Sequence, residues 1–198
     1  MIRALWLGAR MDYNAASATE IAKETAMTND SGSTTRRSII LGAAGGLIAA
    51  SAQAAPSQLK MADIKKDADV ACLYHCDYGD QPRFAQTLNN ISNHYSVYGS
   101  DSFGLQLALV VHSVGIKFFL STLDGTPWKD EAIPAETFER LTALSKNGLK
   151  VYLCEITFKR LNIDTAKVKD APFISFVPSG VATVAALQSK GFSYLKVG

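Results

Sequence analysis

The chain has 198 residues, and its 20 lysines and arginines nearly balance its 18 aspartates and glutamates, so the formal net charge at pH 7 is only +2. This balance excludes the strongly basic face by which proteins bind nucleic acid. The sequence contains no Ser-His-acid motif, no pair of carboxylates at a spacing typical of catalysis and no dinucleotide-binding fingerprint. It therefore gives no support to a hydrolase or dehydrogenase function.

The N-terminal part has the features of a twin-arginine export signal. Arg36-Arg37 precedes a weakly apolar stretch of glycine and alanine, and an Ala-x-Ala cleavage pattern ends at Ala54. The signal has ordinary proportions when it is read from Met27, so we assign it to residues 27–54 and interpret residues 1–26 as an extension that arises from a start-site error. The alternative, an uncleaved membrane anchor, fits less well because the apolar stretch is short and feebly hydrophobic. We therefore expect a periplasmic or otherwise exported protein without stable membrane insertion after cleavage.

The pattern after the signal is one of alternating strands and helices. Residues 55–68 are predicted to form a polar tail, and residues 69–198 are predicted to form one α/β domain. The predicted strands are apolar on both faces, which is typical of a parallel sheet covered by helices on both sides. They are Asp69–His75, Leu105–His112, Val151–Cys154, Ile174–Val177 and Phe192–Val197. The predicted fold is a three-layer α/β structure with a mostly parallel sheet.

Capping and turn residues delimit the predicted helices. Asp80 is suited to cap a helix that has Pro82 in its first turn, and Ser179 is suited to cap a later helix. Pro134 opens another helix after a polar loop, and Trp128 in that loop either fills a gap in the core or contacts another subunit. The remaining helical segments are predicted at residues 114–121 and from Thr157 to Leu161.

Four residues with reactive side chains fall at the ends of predicted strands. His75 and Cys76 end the first strand, His112 ends the second and Cys154 ends the third. If the strands are parallel, all four groups lie along the sheet edge where open α/β proteins bind ligands. Cys154 also precedes a helix, whose N-terminus stabilises a thiolate. His112 either exchanges a proton with this thiol or is a structural histidine bonded to a backbone carbonyl.

The positions of the cysteines limit disulfide formation. Cys72 and Cys76 are four residues apart on one strand, about 13 Å at the rise of a strand, so they cannot bond to each other. Cys72 is interpreted as a small buried hydrophobic residue. A bridge between Cys76 and Cys154 requires that their strands be neighbours in the sheet.

Several segments resemble the DsrE/DsrF-like sulfur-relay family, in its exported branch. They are the strand Val151–Cys154 with Thr157 three residues on, the segment Phe176–Ala182 and the ending Leu187–Lys196. The resemblance covers about Asp69 to Lys196. It implies a flavodoxin-like topology, assembly into homotrimers or hexamers, and a cysteine that carries sulfur as a persulfide.

On this resemblance, Cys154 accepts sulfane sulfur from a donor protein or a small polysulfide and passes it to an acceptor protein. His112 is expected to provide proton balance, and Cys76 is expected to act as a resolving thiol; no cofactor or metal is implied. Glu155-Ile156 departs from the small Gly-Asn-like pair that follows the cysteine in the family, and an acidic neighbour opposes thiolate formation.

Two other functions are compatible with the same residues. The two histidines and two cysteines at the strand ends are ligand types for copper or zinc, although they lack the tight spacing of a dedicated metal motif. Alternatively, Cys154 is inert packing in an oligomeric binding module without catalysis. Thiol reactivity, metal content and bound sulfane sulfur distinguish these functions from sulfur transfer.

Overall fold

Six parallel strands form a single sheet in the computed structural model, which describes residues 56–99 and 104–198. The strands are β1 (Ser57–Gln58), β2 (Val70–Cys76), β3 (Leu105–Val111), β4 (Lys150–Cys154), β5 (Ile174–Val177) and β6 (Ser193–Lys196). Their order across the sheet is β1-β5-β4-β3-β2-β6. The predicted extension, residues 1–26, and the predicted export signal, residues 27–54, lie outside the described residues.

Helices cover both faces of this sheet, which confirms the predicted three-layer α/β fold. The helices are α1 (Gln81–Tyr98), α2 (Ala135–Ser145), α3 (Glu155–Leu161) and α4 (Gly180–Ser189). The predicted caps form, because a side-chain oxygen of Asp80 accepts a hydrogen bond from the Arg83 N–H at 2.8 Å, and Ser179 accepts one from the Ala182 N–H. The segment predicted as a helix after β3 is a 3-10 helix, Ser113–Phe119.

The chain direction decides which face each helix covers. The chain passes from β2 through β3 and β4 to β5 in one direction across the sheet and then returns to place β6 beside β2. Since crossovers between parallel strands are right-handed, the helix of the return connection, α4, lies on the opposite face from the others. The burial pattern agrees: Leu187 of α4 packs in the smaller core cluster, whereas Phe84 of α1 and Phe158 of α3 pack in the larger one.

The segment predicted as a polar tail contributes to the domain from Pro56 onward. Within it, β1 extends the sheet beside β5, and the Leu59 N–H donates to the Phe176 carbonyl at 2.9 Å. Ile64 is only 4% exposed in the smaller core, and Lys190 donates hydrogen bonds to two carbonyls of the segment. Leu59 packs against the same cluster, so apolar contacts as well as hydrogen bonds attach this segment, although the composition alone indicates a tail.

Trp128 is buried in the larger core cluster at 8% exposure, so the structure supports the first of its two interpretations. Cys72 is buried in the same cluster, as the sequence predicts. Within residues 56–99 and 104–198, none of the helices combines the length and the apolar character needed to cross a membrane.

Candidate functional site

A crevice opens at the carboxyl edge of the sheet between β4 and β5. These neighbouring strands are followed by helices on opposite faces, α3 on one side and α4 on the other. The two chain segments therefore diverge and leave space between them. Such topological switch points are where open α/β proteins bind their ligands.

Cys154 lies at this switch point, where it is the last residue of β4 and the residue that precedes α3. Its side chain is 5% exposed and lines a pocket of about 430 Å³. The apolar residues of the pocket wall are Val114, Ile156, Leu161 and Val181, and the polar residues beside them are Ser113, Thr157, Arg160 and Ser179. A thiol at the wall of a partly apolar pocket is placed to meet a small molecule or an extended partner segment.

Gly180 allows His112 and Cys154 to lie close to the start of α4. A Cβ atom at this position would lie 2.9 Å from the Cβ of His112 and 3.1 Å from the Cβ of Cys154. Both contacts are with parts of side chains fixed to the backbone, so a larger residue would displace one of them. The missing side chain of Gly180 is thus the reason that His112 and Cys154 approach the same point.

The loop after β3 holds His112 at the crevice. The His112 N–H donates to the Cys76 carbonyl at 3.1 Å, and the N–H of Ser113 donates to the Thr157 hydroxyl at 3.0 Å. Ser113 has a φ of 55°, a left-handed conformation that is uncommon for a residue with a side chain. The hydrogen bond from Ser113 joins the end of β3 to α3. It maintains the unfavourable conformation of Ser113 at the wall of the pocket.

His112 is paired with a second histidine from the neighbouring strand. Its Nε2 atom lies 2.7 Å from Nε2 of His75, and Nδ1 of His75 lies 2.8 Å from the Tyr194 hydroxyl. Burial lowers the pKa of His112, and Lys196 lowers it further, against the opposing effect of Asp77. Burial also lowers the pKa of His75. Both imidazoles are therefore kept neutral near pH 7, a state in which each has one nitrogen that accepts protons or metal ions.

Asp77 completes this group at the edge of the sheet and pairs with Lys196, 3.0 Å away. Burial alone would raise the pKa of Asp77, but the hydrogen bond from Lys196 and the nearby His75 lower it. Asp77 is therefore an anion beside two neutral imidazoles.

Cys76 is on the other face of the sheet from these residues. Its side chain is completely buried, Sγ donates to the Tyr78 carbonyl at 3.7 Å, and burial raises the pKa of the thiol to about 12. Since β3 lies between β2 and β4, the condition for a bridge between Cys76 and Cys154 is not met, and the chain's three cysteines are free. Consecutive residues of a strand point to opposite faces, so Cys76 lies at the predicted edge of the sheet but faces away from the crevice.

The sequence identified His75, His112 and Cys154 correctly as neighbours at one edge of the sheet. It did not single out Gly180 or Asp77, which shape and charge the site. Gly180 directly follows a residue predicted as a helix cap, which was the available signal for a close backbone approach. Asp77 follows His75 by two positions, a spacing that places residues of one strand on the same face.

The fold and the site define a class of parallel α/β proteins that have a cysteine in the crevice at the carboxyl edge of the sheet. A family model described as the DsrE/DsrF-like family matches residues 52–197, and the chain belongs to this family. No curated protein matches this chain.

The solved structures that resemble the chain include one of a protein of unknown function, MTH1491, from Methanobacterium thermoautotrophicum. The two are 19% identical, the match covers 65% of this chain and 99% of that one, and the TM-score is 0.52. At this level of identity the similarity establishes the fold.

Proposed function

We propose that the protein binds or transfers sulfane sulfur as a persulfide on Cys154. The observation that carries this proposal is that, of the three cysteines, Cys154 lines the pocket at the switch point, whereas Cys72 and Cys76 belong to the core on the opposite face. Membership in a family whose proteins commonly relay sulfur supports the same conclusion. The identity of the donor and that of the acceptor are not part of this proposal.

The transfer requires only sulfur exchange. The Cys154 thiolate attacks the outer sulfur of a donor persulfide R–S–SH, the S–S bond of the donor breaks, and the donor leaves as the thiolate R–S⁻. The product is Cys154–S–SH, and the sulfane sulfur keeps its oxidation state, so no external oxidant or reductant is needed. Attack by an acceptor thiolate on the outer sulfur reverses the sequence and regenerates the Cys154 thiolate.

His112 and Cys76 are proposed to assist, and they lie in different surroundings. His112 lines the same pocket as Cys154, so its neutral imidazole can take the thiol proton and return it to the leaving thiolate. A resolving role for Cys76 stays a prediction, and its burial on the opposite face provides no direct path to Cys154.

The experiment loads the protein with polysulfide and measures the intact mass of the wild type, Cys154→Ser and Cys76→Ser. We expect a mass increase of one sulfur atom in the wild type and in Cys76→Ser, and none in Cys154→Ser. Cys76→Ser is the matched control, because it removes a thiol that faces the core. An adduct that persists in Cys154→Ser would contradict the proposal by assigning the sulfur to another thiol, and its absence from the wild type would contradict it and favour an inert binding module.

Export is proposed on the N-terminal sequence alone. We expect a folded precursor that is exported by the twin-arginine route and cleaved near Ala54. Mass spectrometry of the protein from the envelope fraction checks this. A mature N-terminus at Met1 or Met27 would contradict cleavage.

A further inference from the structure

Three potential metal ligands converge beside the pocket. They are one ring nitrogen each of His75 and His112 and a carboxylate oxygen of Asp77, which lie within 4.8 Å of one another, and the two Nε2 atoms are 2.7 Å apart. Each of the three side chains is partly exposed, so an ion can reach the cluster from solvent. Two imidazole nitrogens and one carboxylate oxygen are a ligand set for zinc and other divalent transition metals.

The sheet itself creates this convergence. β2 and β3 are parallel neighbours, with His75 opposite Val110, and His112 directly follows the end of β3. Alternation places His75, Asp77 and His112 on the same face of the sheet, the one that α4 covers. The cluster is thus built on two adjacent strands and does not depend on the conformation of a long loop.

A hydrogen bond from outside the cluster orients one of the ligands. The Tyr194 hydroxyl contacts Nδ1 of His75 at 2.8 Å and leaves Nε2 of the same ring directed toward His112. Metal-binding histidines usually have their second nitrogen fixed in this way by an oxygen atom.

We propose that His75, Asp77 and His112 form a binding site for a divalent transition-metal ion such as Zn²⁺. The two Nε2 atoms are 2.7 Å apart, whereas two nitrogens bound tetrahedrally to zinc at ~2.0–2.1 Å are about 3.3 Å apart, so the rings move slightly outward on binding. A fourth coordination position remains for water or an external ligand. This site shares His112 with the sulfur chemistry proposed above but does not depend on it, because Cys154 and Cys76 are outside the ligand set. For the same reason it differs from a site made of all the histidines and cysteines at the strand ends.

Lys196 is the natural competitor of the metal. Its Nζ lies 3.0 Å from Oδ2 of Asp77, and both side chains are partly exposed, at 41% and 28%. An exposed ion pair of this kind stabilises a protein only weakly, so a metal ion can displace the ammonium group. Removal of the lysine charge should therefore strengthen metal binding.

The test titrates Zn²⁺ into the metal-free full-length protein by isothermal titration calorimetry. We expect one ion per chain, and a loss of affinity of at least about tenfold in His75→Gln, His112→Gln and Asp77→Asn, since even the loss of an outer hydrogen-bond partner has this effect. The matched control is His94→Gln, because His94 is the remaining histidine of the chain and lies on α1. It should leave the affinity unchanged.

A variant that is expected to gain affinity distinguishes the loss of a ligand from misfolding. Lys196→Gln should bind Zn²⁺ several-fold more tightly than the wild type, and a gain of affinity is not a consequence of unfolding. Co²⁺ provides the spectroscopic check, since nitrogen and oxygen ligands give visible bands without the near-ultraviolet charge-transfer band of a thiolate. The proposal would be overturned by a wild type that shows no saturable binding or by an unchanged affinity in both histidine variants. It would also be overturned by a thiolate band that disappears in Cys154→Ser. The Cys154→Ser variant should retain Zn²⁺ binding even if the persulfide proposal fails.

Discussion

The surroundings of the three cysteines differ far more than their sequence contexts do. Cys154 lines a pocket, whereas Cys76 is completely buried with a pKa raised to about 12, and burial also raises the pKa of Cys72. A thiol with a raised pKa stays protonated at neutral and mildly basic pH, and the protonated thiol is a poor nucleophile. Reactivity toward small electrophiles should therefore separate the three residues.

We predict that iodoacetamide at about pH 8, near the ordinary pKa of a thiol, alkylates Cys154 first and leaves Cys76 unmodified while the protein is folded. Peptide mapping by mass spectrometry over time measures the three rates. Urea provides the control, because unfolding should make the rates similar. Faster alkylation of Cys76 than of Cys154 in the native protein would contradict the environments described here.

Gly180 determines how closely His112 and Cys154 approach α4. We predict that Gly180→Ala lowers the free energy of unfolding by roughly 1–3 kcal/mol, the usual cost of forcing an extra group into a packed site. The added Cβ meets fixed Cβ atoms of His112 and Cys154 at 2.9 and 3.1 Å. Urea denaturation measures the change.

Gly79→Ala is the matched control for this substitution. The Cβ added there meets the end of the Lys117 side chain, with Nζ at 3.0 Å; this group is buried and paired with Glu131, but rotatable bonds join it to the backbone, unlike a Cβ atom. We expect Gly79→Ala to cost clearly less than Gly180→Ala. Equal losses would show that the close packing at Gly180 is not the cause.

At the level of elements, α1 begins with a cap that the sequence identified. Asp80 accepts the hydrogen bond from the Arg83 N–H at 2.8 Å. We predict that Asp80→Ala lowers the free energy of unfolding by about 1 kcal/mol, since an N–H at the start of α1 loses its partner. Chemical denaturation checks this, and Asp80→Asn, which keeps a capping oxygen, should be nearly neutral. A loss in Asp80→Asn as large as that in Asp80→Ala would point to charge and away from capping.

The N-terminal segment that carries β1 depends on a small number of apolar contacts. Ile64 is 4% exposed in the smaller core, so we predict that Ile64→Ala costs roughly 2–4 kcal/mol of unfolding free energy. Thermal and urea denaturation measure the loss. Val97→Ala is the control, because Val97 is 79% exposed and its truncation should change the stability by less than about 0.5 kcal/mol. A neutral Ile64→Ala variant would mean that the segment is attached to the domain mainly by hydrogen bonds.

At the scale of the whole molecule, the rim of the pocket is notably apolar. Ile156 is 41% exposed, Val181 is 65% exposed and Val114 is 37% exposed, and all three line the same pocket. Adjacent exposed apolar side chains are typical of interaction surfaces. Trp128, for which the sequence left open a core position or a subunit contact, is buried in the core and does not contribute to this surface.

We predict that the mature protein is a homo-oligomer, with a trimer as the first expectation and a hexamer as the second. We also predict that the pocket rim contributes to its interface. Light scattering across micromolar concentrations measures the mass. Val181→Glu should weaken assembly, because a charge is buried without a partner at the contact. Val97→Glu, at a still more exposed position on α1, should have no effect. A wild-type monomer at all concentrations would contradict the prediction.

The sequence by itself determined most of the elements, but it missed β1, which lies in the segment predicted as a polar tail. Apolar runs identified β2 to β6, and residues such as Asp80 and Ser179 identified the helix starts, because periodicity, capping and turn formation are local properties of the chain. The same local reading placed Cys154 where β4 ends and α3 begins. The alternation of side chains along β2 also contained the signal that Cys76 faces away from His75.

Only the tertiary structure decided which residues meet. The order of strands puts β3 between β2 and β4, which separates Cys76 from Cys154, and the return connection puts α4 over His112 and Cys154. These relations join residues far apart in the chain, and no local pattern specifies them. The cluster of His75, Asp77 and His112 and the close approach at Gly180 arise in the same way, because the free energy that fixes them comes from packing between elements.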